Sequence, residues 1–473
     1  MKIYLSNAEM RAADEATISG GTPSEELMAR AGRAIAREVA LAAVSRGAKS
    51  VLFVCGTGNN GGDGYVAARL LRGSGLHIMV YGLTGRLSAD CEREKARYDG
   101  EYSSDISADI IVDCIFGTGL CREVTGEHAR IIERINASGA YVISADIPSG
   151  LNGDNGKIMG VAVRANLTVA IACPKLGHVL GDGIDLCGER LDRDIGIKAE
   201  EYAVTSPEDG DISAFFPERK RNSHKGTYGS CQIVAGDCYV GAAALSVSSA
   251  LLSGCGYVSA AVGERLKYAL VAAYPQVIYS DGINFSASAT AIGMGCGCNK
   301  TTYEKVCNLI EGYGGKLIID ADGINSLAAY GKEVLKGAKC KIVITPHVRE
   351  FSRISGCTEE EILSDPAGRA KAFAAEYGVV VHLKNCVTLT TDGHKVSLVT
   401  RGSSALARAG SGDIISGLVA GYAARGLDVF DAAVCAQFVL GRAAEIAGKE
   451  CGEYCTTSQD IIKNIKNVVK SLT

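Results

Sequence analysis

Val51-Leu52-Phe53-Val54-Cys55-Gly56-Thr57-Gly58-Asn59-Asn60-Gly61-Gly62-Asp63-Gly64 joins a short apolar run to a glycine-rich stretch, and residues 65–71 follow with a helical pattern. An apolar run of strand length that ends in glycines and opens a helix is one unit of an α/β fold. The rhythm repeats outward from it, with further apolar runs at 78–81, 110–114, 141–145 and 167–172 separated by amphipathic stretches. Strands alternating with helices predict a parallel sheet covered by helices on both faces, Rossmann-like in outline. Ahead of them, Ser6 with Glu9 spells a capping box, and Thr22-Pro23-Ser24-Glu25 places a proline at a first helical turn. Two helices therefore precede the first of these strands.

Residues 200–217 break the pattern. Ser206-Pro207-Glu208-Asp209-Gly210-Asp211 is acidic and turn-rich, and Pro217-Glu218-Arg219-Lys220-Arg221 is a charged cluster, so a domain junction is expected there, dividing the chain into 1–205 and 206–473. Runs at 231–235, 257–262, 289–293, 317–320, 341–345, 379–383 and 386–390 predict a second, larger α/β domain. The glycine-rich signatures of the two halves fall at different places relative to the strands, so neither domain is a copy of the other. Two cores also suit a chain of 473 residues.

Composition narrows the class of partner. With 47% hydrophobic and 22% charged residues the chain folds, and a net charge of −4 without a run of five or six like charges excludes a nucleic-acid tail or a basic membrane patch. Small molecules are the expected ligands. The 18 cysteines are scattered through apolar runs and read as small buried hydrophobes; no C-x-x-C pair and no histidine pair at zinc spacing occurs. Met1-Lys2-Ile3-Tyr4-Leu5-Ser6 lacks a charged region followed by an apolar one, and no apolar stretch reaches about 18 residues, so a cytoplasmic location is expected.

Two regions carry chemistry. In the first half, Gly56 to Gly61 forms G-x-G-x-x-G after a strand, where glycines permit close approach of a ligand and a helix N-terminus attracts phosphate. The next strand ends Met79-Val80-Tyr81-Gly82, without the acidic residue that holds a ribose in dehydrogenases. Asn59, Asn60 and Asp63 add oxygen-bearing side chains that a plain turn does not require, and suit a ligand or a cation. Asp113 to Leu120 and Asp146 to Asn152 also begin at strand ends, which converge on one crevice in an open parallel sheet. Taken alone, Asp113 and Asp146 suit a helix cap equally well.

In the second half, Leu406-Ala407-Arg408-Ala409-Gly410-Ser411-Gly412-Asp413-Ile414-Ile415-Ser416-Gly417 opens a helical stretch whose start is expected around Asp413. Backbone N–H groups of such a loop can cradle a transferring phosphoryl group, and an aspartate at its end can accept a hydroxyl proton. The alternative is a glycine turn with Asp413 as a cap. Lys384, at a strand end, suits a phosphate by its charge or is simply solvated. His347 suits a ligand or a structural role.

The segments 56–70, 113–120 and 146–153, together with Leu27-Met28-Ala29-Arg30-Ala31-Gly32, resemble the NAD(P)H-hydrate epimerase domain. That resemblance implies that Asn59, Asn60, Gly61, Gly62 and Asp63, the loop Gly117, Thr118, Gly119, Leu120, Cys121, Arg122 and Glu123, and Asp146 contact the hydrate. It implies a potassium ion held by Asn60, Asp113 and Ser149, with Asp146 as acid/base. The second-half loop resembles the ribokinase-like superfamily. With His224-Lys225-Gly226-Thr227, Ala235-Gly236-Asp237, Asp320-Ala321-Asp322-Gly323 and Thr345-Pro346-His347, it is similar to the ADP-dependent NAD(P)H-hydrate dehydratase. The resemblance implies hydrate contacts from Ala242, Gly297, His347 and Asp413, with Asp413 as base. It also implies ADP contacts from Lys384, Asn385, Cys386, Val387, Thr388 and Gly412, magnesium arriving with ADP, and self-association into a homo-oligomer.

Four positions depart from the family pattern: Asn385 and Ala409 where glycine is usual, Gln276 in place of glutamate, and Leu440 in place of histidine. Ala409 carries the sharpest expectation, because a Cβ beside an anion cradle restricts the backbone and would weaken the dehydratase. Two other readings stand beside repair: a kinase of a small alcohol with a sensor domain attached, and a nucleotide-sensing protein that has lost its chemistry. Product analysis separates the first, and binding without turnover the second.

Overall fold

The computed structural model describes residues 1–197 and 204–473. The chain forms two compact units, Ile3–Tyr202 and Ala203–Thr473, the latter including Met1–Lys2. Of the expected junction, residues 200–203 lie outside the described residues. The strand Val204–Ser206 and the short helix Asp209–Ser213 belong to the second unit, so the division comes before residue 205 rather than after it.

The first strand, β1 (Lys2–Ile3), belongs to the sheet of the second unit. The N-terminal unit is built on β2 (Ser50–Cys55), β3 (His77–Gly82), β4 (Glu101–Tyr102), β5 (Ile110–Cys114), β6 (Tyr141–Ala145), β7 (Leu167–Ile171) and β8 (Glu189–Arg193). Their spatial order is β4-β3-β2-β5-β6-β7-β8, parallel throughout. Because β2 pairs with β3 on one side and β5 on the other, the order reverses there and a crevice opens beyond the C-terminal ends of β2 and β5. β2 is apolar and buried after Ser50, and β5 is buried along its length and apolar but for Asp113, as strands covered on both faces must nearly be. Two strands of this sheet escape the apolar pattern: β4 and β8 are polar edge strands, and charged side chains suit an edge.

Helix α1 (Asn7–Ser19) starts as its sequence dictates, with Ser6 Oγ accepting from the Glu9 amide at 3.2 Å and the Ser6 amide donating to Glu9 Oε2 at 2.7 Å. Helix α2 (Ser24–Arg46) differs by one residue: Pro23 is its N-cap, not its first helical residue. Helix α3 (Asn59–Leu71) begins six residues before the expected stretch, so Asn59 to Asp63 form its first turn. None of Gly56, Gly58, Gly61, Gly62 or Gly64 takes a positive φ. Their role is close approach: a Cβ on Gly61 would lie 2.1 Å from the Gly56 carbonyl oxygen, and one on Gly64 would lie 2.8 Å from Cys55 Sγ. The glycines press the helix onto the strand ends, which the sequence pattern alone could not distinguish from a loop.

The second unit holds β9 (Val204–Ser206), β10 (Ser230–Val234), β11 (Tyr257–Ala261), β12 (Ile278–Ser280), β13 (Ala289–Ile292), β14 (Lys316–Ile319), β15 (Lys341–Ile344), β16 (Val380–Leu383), β17 (Thr388–Thr391) and β18 (Val396–Val399). The order is β1-β9-β18-β17-β16-β15-β14-β13-β10-β11-β12, parallel from β12 to β16 and antiparallel across β16-β17-β18. The order reverses at β10. The helix Ser411–Ala424 is buried on every side from Ile414 onward, and Gly417 lets it meet the helix Val240–Leu252, because a Cβ there would lie 2.1 Å from the Ser246 oxygen.

The cysteines divide. Seven are buried as expected, among them Cys55, Cys114 and Cys435, but Cys121, Cys238, Cys298, Cys386, Cys451 and Cys455 are exposed, and all 18 are free thiols. The exposed ones sit in loops and at helix ends, where an apolar neighbour in sequence says nothing of burial.

Candidate active sites

In the N-terminal unit a cavity of ≈ 670 Å³ opens at the strand-order reversal. It brings together Asn59, Asn60 and Asp63 from the first turn of α3, the segment Gly117 to Arg122 after β5, and Asp146 after β6. Gly61 and Gly62 are buried beneath that turn and Glu123 lies outside the lining. Asp113 is not a helix cap. It is fully buried in β5, where its carboxylate accepts from the Ser149 amide (2.8 Å), Ser149 Oγ (2.5 Å), Ser144 Oγ (2.9 Å) and the Ile115 amide (3.2 Å). Burial nonetheless raises its pKa above the ordinary carboxylate range, with the Ser149 and Ser144 bonds opposing.

Asp146 has φ +66°, one of three non-glycine residues with positive φ among the described residues. Such a conformation costs about 1–3 kcal/mol and persists only where surroundings enforce it. The enforcing groups come from a segment that sequence reading passed over, Pro174 to His178, just after β7. Lys175, 1% exposed, bonds Asp146 Oδ1 with its ammonium, and His178 Nε2 lies 2.8 Å from the Asp146 carbonyl oxygen. Its signal was available: a lysine at a parallel strand's C-terminal end faces the same crevice. Asp14 of α1 also lines the cavity, and burial raises the pKa of both Asp14 and Asp63.

In the second unit a cavity of ≈ 590 Å³ is lined by Ala242, Asp322, Glu350, Gly410 and Asp413 among others. The helix carrying Asp413 starts at Ser411, two residues before expectation, with Gly410 as its cap at φ +96°. Asp413 thus sits in the first turn, and its carboxyl is pushed up to about 6, by burial first and then by the Asp320 carboxylate, against the pull of Lys384. A base in that range is well matched to proton transfer near neutral pH.

Lys384 Nζ lies 2.8 Å from Asp320 Oδ1, and Ser416 Oγ donates to Asp320 Oδ2 at 2.6 Å. A Cβ on Gly412 would stand 3.3 Å from the Lys384 ammonium, so Lys384 faces the glycine loop. Of the neighbouring residues, Asn385 and Cys386 are exposed, while Val387 and Thr388 are each 2% exposed and offer a ligand little beyond their main chain. His347 Nδ1 accepts from the Arg349 amide at 3.1 Å, so one ring nitrogen is committed to capping the helix Val348–Ser355. His347 and Gly297 do not line the cavity themselves; Gly297 adjoins it through its amide, which donates to Asp322 Oδ2 at 2.7 Å. Asp320, Asp322, Glu350 and Ser416 are the residues here to which sequence reading gave no role.

The backbone of Ala409 is free of the left-handed conformation that a Cβ would strain, and the left-handed position is the next one, Gly410. Leu440 is buried in the helix Val429–Cys451 as an ordinary core residue.

The fold and these two crevices define an enzyme with two separate small-molecule centres, the second built around a glycine-rich helix start. Residues 24–177 match the family described as YjeF-related protein N-terminus, and residues 231–467 match the family described as NAD(P)H-hydrate dehydratase. The chain is 34% identical to a bifunctional NAD(P)H-hydrate repair enzyme of Thermofilum pendens, covering 97% of this chain and 94% of that one. It is 32% identical to the same enzyme of Pyrobaculum aerophilum, covering 98% of each. Its C-terminal part resembles a crystal structure of the ADP/ATP-dependent NAD(P)H-hydrate dehydratase of Bacillus subtilis, co-crystallised with ATP and Mg²⁺. The identity is 26% and the TM-score 0.52, covering 56% of this chain and 98% of that one. A ribokinase-like superfamily protein of Enterococcus faecalis shares the fold at 20% identity, with a TM-score of 0.51, covering 58% of this chain and 98% of that one. The chain belongs to the bifunctional NAD(P)H-hydrate repair enzymes. No described helix is long and apolar enough to cross a membrane.

Proposed function

We propose that the N-terminal unit interconverts the R and S epimers of NAD(P)H hydrate and that the C-terminal unit dehydrates the S epimer at the expense of ADP, giving NAD(P)H, AMP and phosphate. The observation that carries the reading is the placement of Asp413, with its raised pKa, in the first turn of a helix whose glycine loop faces the Lys384 ammonium.

In the C-terminal unit Asp413 accepts the proton of the hydrate's hydroxyl as that oxygen attacks the terminal phosphorus of ADP. The Gly410–Gly412 amides and Lys384 receive the charge on the transferred group. The phosphate so formed is a good leaving group, and its elimination with a ring proton restores the reduced nicotinamide. Ala242, Gly297 and His347 are assigned to the hydrate, and Lys384 to Thr388 with Gly412 to ADP. Among the described residues no cluster of three His, Cys, Asp or Glu could hold a metal, so magnesium is assigned to the phosphates of ADP itself.

In the N-terminal unit Asp146 serves as acid/base at the hydroxyl-bearing carbon, with Asn59 to Asp63 and Gly117 to Glu123 around the ligand. Potassium fits the residues assigned to it. Asn60 Oδ1 is buried without a hydrogen-bond partner, while its Nδ2 donates to the Phe116 carbonyl at 3.0 Å, next to Ser149 and Asp113. A cation would satisfy that oxygen and offset the buried Asp113 charge.

The test is recovery of reduced-nicotinamide absorbance from a mixture of both hydrate epimers, with ADP, with ATP and with neither, in potassium buffer. Complete recovery that requires a nucleotide supports both activities. Recovery that stops at one epimer removes the epimerase, and no recovery removes the dehydratase.

A further inference from the structure

Lys175 is the largest charged side chain that is fully buried in the N-terminal unit, and no step of the proposed reaction uses it. A buried lysine without work to do is costly, because its charge has left water. Here the charge is met inside the cavity. The ammonium bonds Asp146 Oδ1 and donates to the Ile171 carbonyl at 2.8 Å. Asp146 Oδ1 also receives the Ile171 amide at 3.4 Å, so that oxygen is engaged from two sides.

The other oxygen points elsewhere. A Cβ placed on Gly117 would lie 3.3 Å from Asp146 Oδ2, which puts Oδ2 against the segment that lines the cavity. The main chain of Asp146 is pinned as well. The Lys175 amide donates to His178 Nδ1 at 2.9 Å, which leaves Nε2 to carry the proton and donate to the Asp146 carbonyl at 2.8 Å. Burial, with Lys175 adding to it, lowers the pKa of His178 to about 4, so the ring stays neutral in that role. Arg11, Asp90 and Arg122 also line the cavity, and of its carboxylates Asp14 of α1 and Asp63 of α3 act on this pair.

We propose that Lys175 is a positioning residue for epimerisation: by taking Asp146 Oδ1 it fixes the carboxylate with Oδ2 alone presented to the hydrate, while His178 holds the same residue by its main chain. A carboxylate free to rotate would present either oxygen at varying distance from the reacting carbon, and small displacements of a reacting group cost rate more than binding. This inference rests on the epimerase reading.

The experiment compares wild type, Lys175→Met and Lys175→Gln in the full chain, measuring kcat and KM for epimerisation from a single hydrate epimer, together with thermal melting. Lys175→Met removes both charge and donor; Lys175→Gln keeps a donor at the same place. The expected result is a kcat loss of about 100-fold in Lys175→Met with KM within about threefold, and about tenfold recovery in Lys175→Gln. If the methionine variant unfolds, Lys175→Gln is compared with wild type alone, and a kcat loss of about tenfold at unchanged KM is expected. Wild-type kcat in either folded variant, or losses carried by KM with glutamine no better than methionine, overturns the role of Lys175. Inactive wild-type protein would instead remove the epimerase reading itself.

Discussion

Lys384 and Asp320 form a buried ion pair at 2.8 Å, with Asp320 2% exposed and its second oxygen taken by Ser416 Oγ. Burial works against the charge of Lys384, but Asp320 and Glu350 outweigh it and raise the lysine's pKa; Asp320, despite its own burial, is lowered by Lys384. Lys384→Met leaves a buried carboxylate without its cation, and a loss of about 3–5 kcal/mol is expected on breaking such a pair. Denaturant unfolding of the C-terminal unit measures it. Because Asp320 has a depressed folded pKa, its contribution is present above the ordinary carboxylate pKa and disappears as pH falls through the folded value. The wild-type and variant midpoints should therefore converge in acid.

Asp413→Asn should lower dehydration kcat by about 100-fold or more while the hydrate still binds, since the base but not the cavity is removed. In wild type the base works when ionised. With its pKa near 6, the dehydration rate should rise with pH through that value and level off above it, and a steady-state pH profile shows whether it does.

Ala409→Gly should leave dehydratase kcat within about twofold, and destabilise slightly if at all, by up to about 1 kcal/mol of added chain entropy. Gly410→Ala should do the reverse. Its φ is +96° and its Cβ would lie 2.5 Å from Leu245 Cδ1, so strain of about 1–3 kcal/mol and loss of the dehydratase are expected. Parallel melting curves and dehydration assays on the two variants decide between neighbouring positions.

Replacing potassium by a bulky organic cation should slow epimerisation and leave nucleotide-dependent dehydration of the pure S epimer close to its original rate. Ser149→Ala should remove that cation response. It also strips the Ser149 hydroxyl from buried Asp113, at a cost of about 1–3 kcal/mol read by thermal melting.

Gly64→Ala should destabilise the N-terminal unit, because its Cβ would crowd Cys55 Sγ and Cys114 Cβ at 2.8 and 2.9 Å. Epimerase activity should be lost at lower temperature than in wild type, with the dehydratase transition unmoved.

Most of the architecture was legible in the chain. The runs at 110–114 and 141–145 coincide with β5 and β6, and Ser6 with Glu9 caps α1 as written. Periodicity failed where its physical basis did: β8 is Glu189-Arg-Leu-Asp-Arg at a sheet edge, where solvent faces one side and burial imposes no apolar pattern. The start of α3 was misplaced because glycines at 61, 62 and 64 read as a turn, whereas they are needed to bring the helix against β2 and β5.

The sequence by itself determined the alternation of strand, glycine-rich stretch and helix, and hence two α/β domains with candidate sites at strand ends. Those features depend on residues within one or two turns of each other, where backbone restrictions and side-chain periodicity act. Only the tertiary structure decided which charges meet. Lys175 reaches Asp146 across 29 residues, Ser149 reaches Asp113 across 36 and Lys384 reaches Asp320 across 64. Each pairing follows from the spatial order of strands, which brings the ends of neighbouring strands, or of β14 and β16 across β15, together in a buried place where a charge needs its partner, and that order is a property of the whole packed sheet.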